Sequence, residues 1–127
     1  MSLDIKIEKK SPWVVYVYLK GSLDSNTYQQ LEKELDPVFK EIPEVIVFDL
    51  KNLDFISSLG LRIIAKTKKF LQNNNGEVNM VNLKPHIQEV FNIIDAIGSD
   101  KVFSSTEELD KYLEVRQAKN KERQKNN

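Results

Sequence analysis

The chain lacks several features on which whole classes of proteins depend. It contains no cysteine, which excludes disulfides and thiolate metal ligands and suits a reducing cytoplasm. It has no excess charge of either sign, because lysine plus arginine and aspartate plus glutamate both total 19. Nucleic-acid binders depend on a basic surface that attracts the phosphate backbone. The composition therefore predicts that nucleic acid is not a partner.

The order of polar and apolar residues shows neither a leader sequence nor a membrane-spanning segment. The first residues alternate between polar and apolar side chains, whereas a leader has a basic segment followed by an apolar run. No apolar run approaches the roughly 20 residues that cross a bilayer. We therefore expect a soluble, cytoplasmic protein that does not associate with a membrane.

Residues suited to catalysis or cofactor binding are scarce. There are one histidine and four glycines, no glycine-rich loop, and no group of acidic residues at metal-ligand spacing. Ser58 and His86 supply residue types of a nucleophilic triad, but Ile56 stands where a nucleophile elbow has its first glycine. The sequence predicts no cofactor, no metal site and no enzyme, and a hydrolase using Ser58 is the weakest alternative.

Length and hydrophobic content fit one small domain. A chain of 127 residues with 40% hydrophobic residues can fill a single core. From Arg116 onward only Ala118 is apolar, so this segment offers too little apolar area to offset the entropy of ordering it. We expect one domain over residues 1–115 and a disordered, charged tail over residues 116–127.

The spacing of apolar residues predicts strands that begin the chain and then alternate with helices. Residues 3–7 alternate at a period of two and predict a strand that pairs antiparallel with residues 13–19, ending at Gly21. Four apolar residues, 45–48, predict a central strand that ends at Asp49. The order of elements implies an α/β fold with a mixed sheet of four to five strands and about four helices.

Three- and four-residue spacing places the helices. The first should begin near Ser25 or Asn26, and Pro37 should kink or break it. The second should begin at Ser57 or Ser58 and end in residues 73–76. A third follows Pro85 and should end at Gly98, and a capping-box pattern precedes the last.

Ser57 and Ser58 lie where the predicted central strand gives way to a helix. A helix N-terminus presents unpaired amide groups and a partial positive charge, so a phosphate added there would be accommodated. The alternative is that the two serines only cap the helix, because serine is a preferred N-cap residue. The local pattern alone leaves both interpretations open.

Two short motifs resemble those of the STAS family, of the anti-sigma factor antagonist type. Residues 55–61 read Phe-Ile-Ser-Ser-Leu-Gly-Leu, and residues 21–24 read Gly-Ser-Leu-Asp. The resemblance implies the STAS fold, with Ser58 at the position of the phosphorylated serine and Asp24 on the partner-binding face. Ser57 and Leu59 depart from the family pattern, which has aspartate and a small residue at these positions.

The resemblance also implies a function and its partners. The unphosphorylated protein would bind an anti-sigma factor with serine kinase activity and so free a sigma factor, and a phosphatase would remove the phosphate from Ser58. The implied partner-binding residues are Asp24, Asn26, Thr27, Ser57, Ser58, Leu59, Gly60 and Arg62. Two alternatives stay open: Asp24 is an ordinary N-cap or turn carboxylate, or the chain is a constitutive STAS scaffold or accessory subunit of a signalling or lipid-transport complex.

Overall fold

The computed structural model describes residues 2–94 and 101–125. Its described part contains five strands and four helices. Their bounds are β1 (Leu3–Lys9), β2 (Val14–Leu23), α1 (Tyr28–Lys40), β3 (Val45–Ile56), α2 (Ser58–Asn73), β4 (Glu77–Val81), α3 (Pro85–Ile94), β5 (Val102–Phe103) and α4 (Thr106–Lys125). The predicted end of α3 at Gly98 lies outside the described residues.

The strands form one mixed sheet in the order β1-β2-β3-β4-β5. β1 is antiparallel to β2, and the pairs from β2 to β5 are parallel. The predicted α/β fold, the opening hairpin and the central position of the third strand are therefore confirmed. Because β2 to β5 run in the same direction, their carboxyl ends meet at one edge of the sheet.

Both faces of the sheet are covered. Alternate residues of β3 belong to two separate apolar clusters, with Ile46 and Phe48 in one and Val45 and Val47 in the other. The first cluster includes buried residues of α1, α2 and α3, and the second includes residues of α4. Fully burying one such side chain contributes about 1.5–3 kcal/mol. This burial fixes where α2 begins relative to the strands.

β2 and β3 are longer than the sequence predicts. β3 continues through the predicted loop to Ile56, and β2 continues past Gly21 to Leu23. Gly21 has a φ of +106°, and a Cβ there would lie 2.3 Å from the backbone oxygen of Ser2. Glycine thus serves as an irregularity within a strand and not as its end, and the pairing register shifts beside it. The predicted strand end at Gly21 was wrong for this reason, and the predicted end at Asp49 was wrong because residues 52–56 pair with residues 20–23 of β2.

α1 is a single helix that contains Pro37. Of the two predicted outcomes, a kink or a break, the break does not occur, because a proline in the last turns removes only one backbone donor while Leu35 and Val38 on either side stay buried. The N-cap is Thr27 and neither Ser25 nor Asn26. None of the helices in the described part of the chain has the length and apolarity needed to cross a membrane.

α4 begins as the capping box predicts and ends later than expected. The backbone N–H of Glu108 donates to Oγ of Ser105 at 3.2 Å. The helix continues past residue 116, where a disordered tail is predicted, and reaches Lys125. Arg116 pairs with Glu44 at 3.0 Å and with Glu77 at 3.1 Å. The ion pairs of Arg116, which a count of apolar residues ignores, attach the first residue of this segment to Glu44 and Glu77, and the disorder of residues 116–127 stays a prediction.

Candidate functional site

Ser57 joins the end of β3 to the start of α2. Its backbone N–H donates to the carbonyl oxygen of Leu23 at 2.9 Å, which ties the junction to the end of β2. Its Oγ accepts from the backbone N–H of Gly60 at 3.4 Å, and Ser57 is the N-cap of α2. The capping interpretation is therefore correct for this serine.

Ser58 differs from its neighbour. It is the first residue of α2, it is exposed, and its hydroxyl makes no hydrogen bond to any other described residue. The first turn of α2 contains no acidic residue. The predicted start of the second helix at Ser57 or Ser58 is confirmed. A nucleophilic serine needs a base within hydrogen-bond distance, and the hydroxyl of Ser58 has none among the described residues. The hydroxyl is instead accessible for modification or for contact with a partner protein.

Gly60 allows α2 to begin directly against the sheet. A Cβ on this buried residue would lie 2.7 Å from Cγ of Leu23 and 2.9 Å from the backbone oxygen of Leu23. Leu59 is half-buried, and Arg62 is exposed one turn after Ser58. Gly60 thus contributes to packing, and only its neighbours present side chains to solvent.

Asp24 and Thr27 form a buried turn between β2 and α1. Oδ1 of Asp24 accepts from the backbone N–H of Asn26 at 2.9 Å and lies 3.3 Å from Oγ1 of Thr27. Oγ1 of Thr27 accepts from the backbone N–H of Asp24 at 2.9 Å and donates to the carbonyl oxygen of Ser22 at 2.8 Å. Asp24 is only 8% exposed. The two side chains are therefore used in holding the turn, as in an Asx-turn.

The turn and the serines lie at the same edge of the sheet. Leu23 at the end of β2 pairs with Ile56 at the end of β3, so the residues that follow each strand are neighbours. The predicted partner-binding residues separate by exposure. Asn26, Ser58 and Arg62 are exposed, Ser57 and Leu59 are half-buried, and Asp24, Thr27 and Gly60 are buried. The buried members support the surface that the exposed members form.

Phe55 belongs to this edge but is absent from the predicted set. It is 46% exposed and lies between the exposed Asp54 and the buried Ile56. Leu53 and Ile56 are both buried, so the simple alternation of a strand fails here. The register shift between Gly21 and Ser22 accompanies this change. The sequence shows an aromatic residue, but only the pairing register shows that it faces solvent.

Lys84 and His86 also lie at the carboxyl edge, after β4. Lys84 forms an ion pair with Asp54, and a ring nitrogen of His86 lies 2.6 Å from the backbone oxygen of Asp54. The hydrogen bond from Lys84 and its positive charge hold the pKa of the Asp54 carboxyl below its usual value. These contacts tie the start of α3 to β3. The sequence could have predicted these contacts only through the parallel pairing of β3 and β4, which brings the residues after both strands to the same edge.

Within residues 2–94 and 101–125, no group of histidine, aspartate and glutamate side chains is arranged to hold a metal ion. His86 is engaged at Asp54 and exposed, and the hydroxyl of Ser58 has no described partner. The exposed groups at the carboxyl edge are of kinds that protein interfaces use. The edge presents one aromatic ring, one free hydroxyl and one guanidinium group on a rigid support.

Comparison with known proteins gives consistent results. The family model of the STAS domain matches residues 5–109. The chain is 38% identical over 89 residues to the proposed anti-sigma factor antagonist BtrV of Bordetella bronchiseptica, covering 70% of this chain and 77% of that protein. It is 30% identical over 103 residues to the anti-sigma F factor antagonist of Paenibacillus polymyxa, covering 80% and 85%.

A solved structure shares the fold. The crystal structure of an anti-sigma factor antagonist from Mycobacterium paratuberculosis superposes with a TM-score of 0.77 at 24% identity. The match covers 91% of this chain and 95% of that one. At this identity the likeness concerns the fold alone.

Proposed function

The chain belongs to the STAS domain family, among relatives named anti-sigma factor antagonists, and we propose that phosphorylation of Ser58 controls its binding to an anti-sigma factor with serine kinase activity. The unphosphorylated form binds that factor and so frees a sigma factor. It is a protein-binding regulator and not an enzyme, it acts in the cytoplasm, and a phosphatase resets it. The single observation that carries the proposal is the free, exposed hydroxyl of Ser58 at the start of α2.

The binding surface consists of the exposed residues at the carboxyl edge. We call it the Ser58 surface, and its members are Asn26, Phe55, Ser58 and Arg62. Aromatic and arginine side chains supply much of the binding energy in protein interfaces. Phe55 therefore provides the apolar anchor, and Ser58 lies beside it at the end of the same strand-helix unit. The buried residues Asp24 and Gly60 keep this surface in shape.

A phosphate on Ser58 would oppose binding for an electrostatic reason. It adds about two negative charges at neutral pH. Burying such a group without a partner in an interface costs several kcal/mol. Since about 1.4 kcal/mol already changes affinity tenfold, one modification is enough to separate a bound from a free state.

A second candidate is a constitutive STAS scaffold or accessory subunit of a signalling or lipid-transport complex. The half-buried Leu59 favours it, because a bulky residue follows Ser58 where the family pattern has a small one. The Leu59 side chain would then hinder a kinase from reaching the Ser58 hydroxyl. In this case the same surface binds a partner without being switched.

Phosphate transfer distinguishes the two candidates. The wild-type chain is incubated with ATP and each anti-sigma factor of the same organism that carries a serine kinase domain, and the intact mass is measured. We expect one phosphate on the wild type and on Ser57→Ala, and none on Ser58→Ala. Calorimetry should then show at least tenfold weaker binding of the phosphorylated chain. Phosphate on Ser58→Ala, or equal affinity of both forms, would contradict the proposal and favour the scaffold.

A further inference from the structure

We propose that Arg62 is the internal partner of a phosphate on Ser58, so that modification both adds negative charge to the Ser58 surface and withdraws a cation from it. The inference rests on the proposed modification of Ser58. It concerns which side chain the phosphate binds after Ser58 has been phosphorylated.

The geometry follows from the positions of both residues in α2. Ser58 and Arg62 are four residues apart in this helix, and both are exposed. Residues at this spacing lie one above the other on the same face. Helical side chains lean toward the preceding turn, so the long side chain of Arg62 extends toward the turn that contains Ser58. An anion that precedes a cation by four residues is also the more favourable order.

Arg62 is available for this role. It makes no ion pair with any other described residue, whereas Lys66, four residues further along the same face, pairs with Glu32 at 3.3 Å. The first turn of α2 contains no carboxylate that would compete for the guanidinium group. The planar guanidinium group can bind two phosphate oxygens at once, which an ammonium group cannot. Arg62 is thus the cation of α2 best placed for a phosphate on Ser58.

The consequence is a switch with two components. In the unmodified chain, Arg62 presents its positive charge to the partner, where it fits a carboxylate. In the modified chain, the phosphate binds the same guanidinium group, and the partner's carboxylate faces a surface that is now anionic. The loss of an attractive contact and the gain of a repulsive one then act together.

The test measures the phosphate directly. Phosphoserine is installed at position 58 during synthesis, without a kinase, and the second ionisation of the phosphate is followed by phosphorus NMR. A nearby cation favours the dianion, so we expect the phosphate pKa to rise by about 0.3 units or more in Arg62→Gln. Arg62→Lys should recover part of the difference. Lys66→Gln, the matched control, should leave the phosphate pKa unchanged.

Two outcomes would overturn the inference: an unchanged phosphate pKa in Arg62→Gln, or an equal rise in Lys66→Gln. Circular dichroism of each variant establishes that the helix is intact. Because the phosphate is installed chemically, failure of every kinase to modify Ser58 would refute the proposed function and leave this measurement unaffected. Conversely, kinase modification with no effect of Arg62→Gln would refute only the role of Arg62.

Discussion

Two regions of the molecule carry charged and polar side chains in opposite ways. One lies between α4 and the sheet, and we call it the Glu77 network. Its members are Glu44, Glu77, Lys101, Tyr112 and Arg116. The other is the Ser58 surface. The charged groups of the first region are paired with one another, and the second region is open to solvent.

Every charge of the Glu77 network has a partner. Oε1 of Glu77 lies 3.4 Å from Nζ of Lys101 and 3.1 Å from a guanidinium nitrogen of Arg116, and its Oε2 accepts from the hydroxyl of Tyr112 at 2.6 Å. The Glu77 side chain is only 12% exposed. Burial, together with the hydrogen bond to Glu77, raises the pKa of Tyr112. Burial alone would lower the pKa of Lys101, but Tyr112 and Glu77 outweigh it and raise that pKa.

The Ser58 surface lacks such pairing. The side chains of Ser58 and Arg62 make no hydrogen bond or ion pair with another described residue. Charges that are paired and shielded contribute to the fold, whereas exposed groups without partners contribute little to it and are available for binding. We therefore expect substitutions in the network to change stability and substitutions of exposed residues at the edge to change recognition.

The largest expected effect is a loss of stability from a substitution at Gly60, which lies buried beneath the Ser58 surface. It would break the division between a stabilising network and a binding surface, because a residue at the edge would then control stability. Gly60→Ala places a Cβ against the side chain and backbone of Leu23. Backbone cannot move aside as easily as a flexible side chain, so we expect a loss of about 2–3 kcal/mol in the free energy of unfolding. Urea denaturation measures it. The matched control Ser58→Ala, on the exposed side of the same turn, should stay within about 0.5 kcal/mol.

A Gly60→Ala protein as stable as the control would show that α2 can shift away from β2. The close contact with Leu23 would then not determine where the helix begins. Gly60 would then not act as a rigid support for the Ser58 surface.

The next largest effect is expected when one charge is removed from the Glu77 network, which sharpens its comparison with exposed ion pairs. Glu77→Gln keeps the shape but leaves Arg116 and Lys101 with a weaker acceptor. Because these partners are partly exposed, we expect a loss of about 1–2 kcal/mol in the free energy of unfolding, less than for a fully buried pair. Glu32→Gln disrupts the exposed pair with Lys66 and should cost no more than about 0.5 kcal/mol. Equal losses in the two variants would contradict the distinction.

The smallest effect concerns pH and the exposed pair of Asp54 and Lys84. The pKa of Asp54 is lowered in the folded chain by Lys84, so this pair stabilises the fold above the unfolded pKa. The contribution is lost as the pH falls below about 4, through the folded pKa. Carbon NMR titration of the Asp54 carboxyl group should show a higher pKa in Lys84→Met. An unchanged titration would mean that Lys84 does not lower the pKa of Asp54.

Local patterns predicted a large part of the fold. Alternating apolar residues identified β1, a run of four apolar residues identified the central β3, and three- and four-residue spacing identified α2 with its start at Ser57 or Ser58. These predictions succeeded because strand and helix periodicity depend on the geometry of neighbouring residues. The two motifs then located the exposed Ser58 in the correct turn. For these elements, the sequence carried the information by itself.

The exposure of the site residues was decided by tertiary structure. Asp24 and Gly60 belong to the same predicted partner-binding set as exposed residues, yet both are buried at the ends of β2 and β3. Phe55 faces solvent because the pairing register shifts, and Arg116 is ordered through partners 72 and 39 residues away in sequence, at Glu44 and Glu77. Such contacts join distant parts of the chain, so no local period encodes them. The sequence by itself determined which elements form and where the serines lie, and packing determined which side chains support the surface and which a partner can reach.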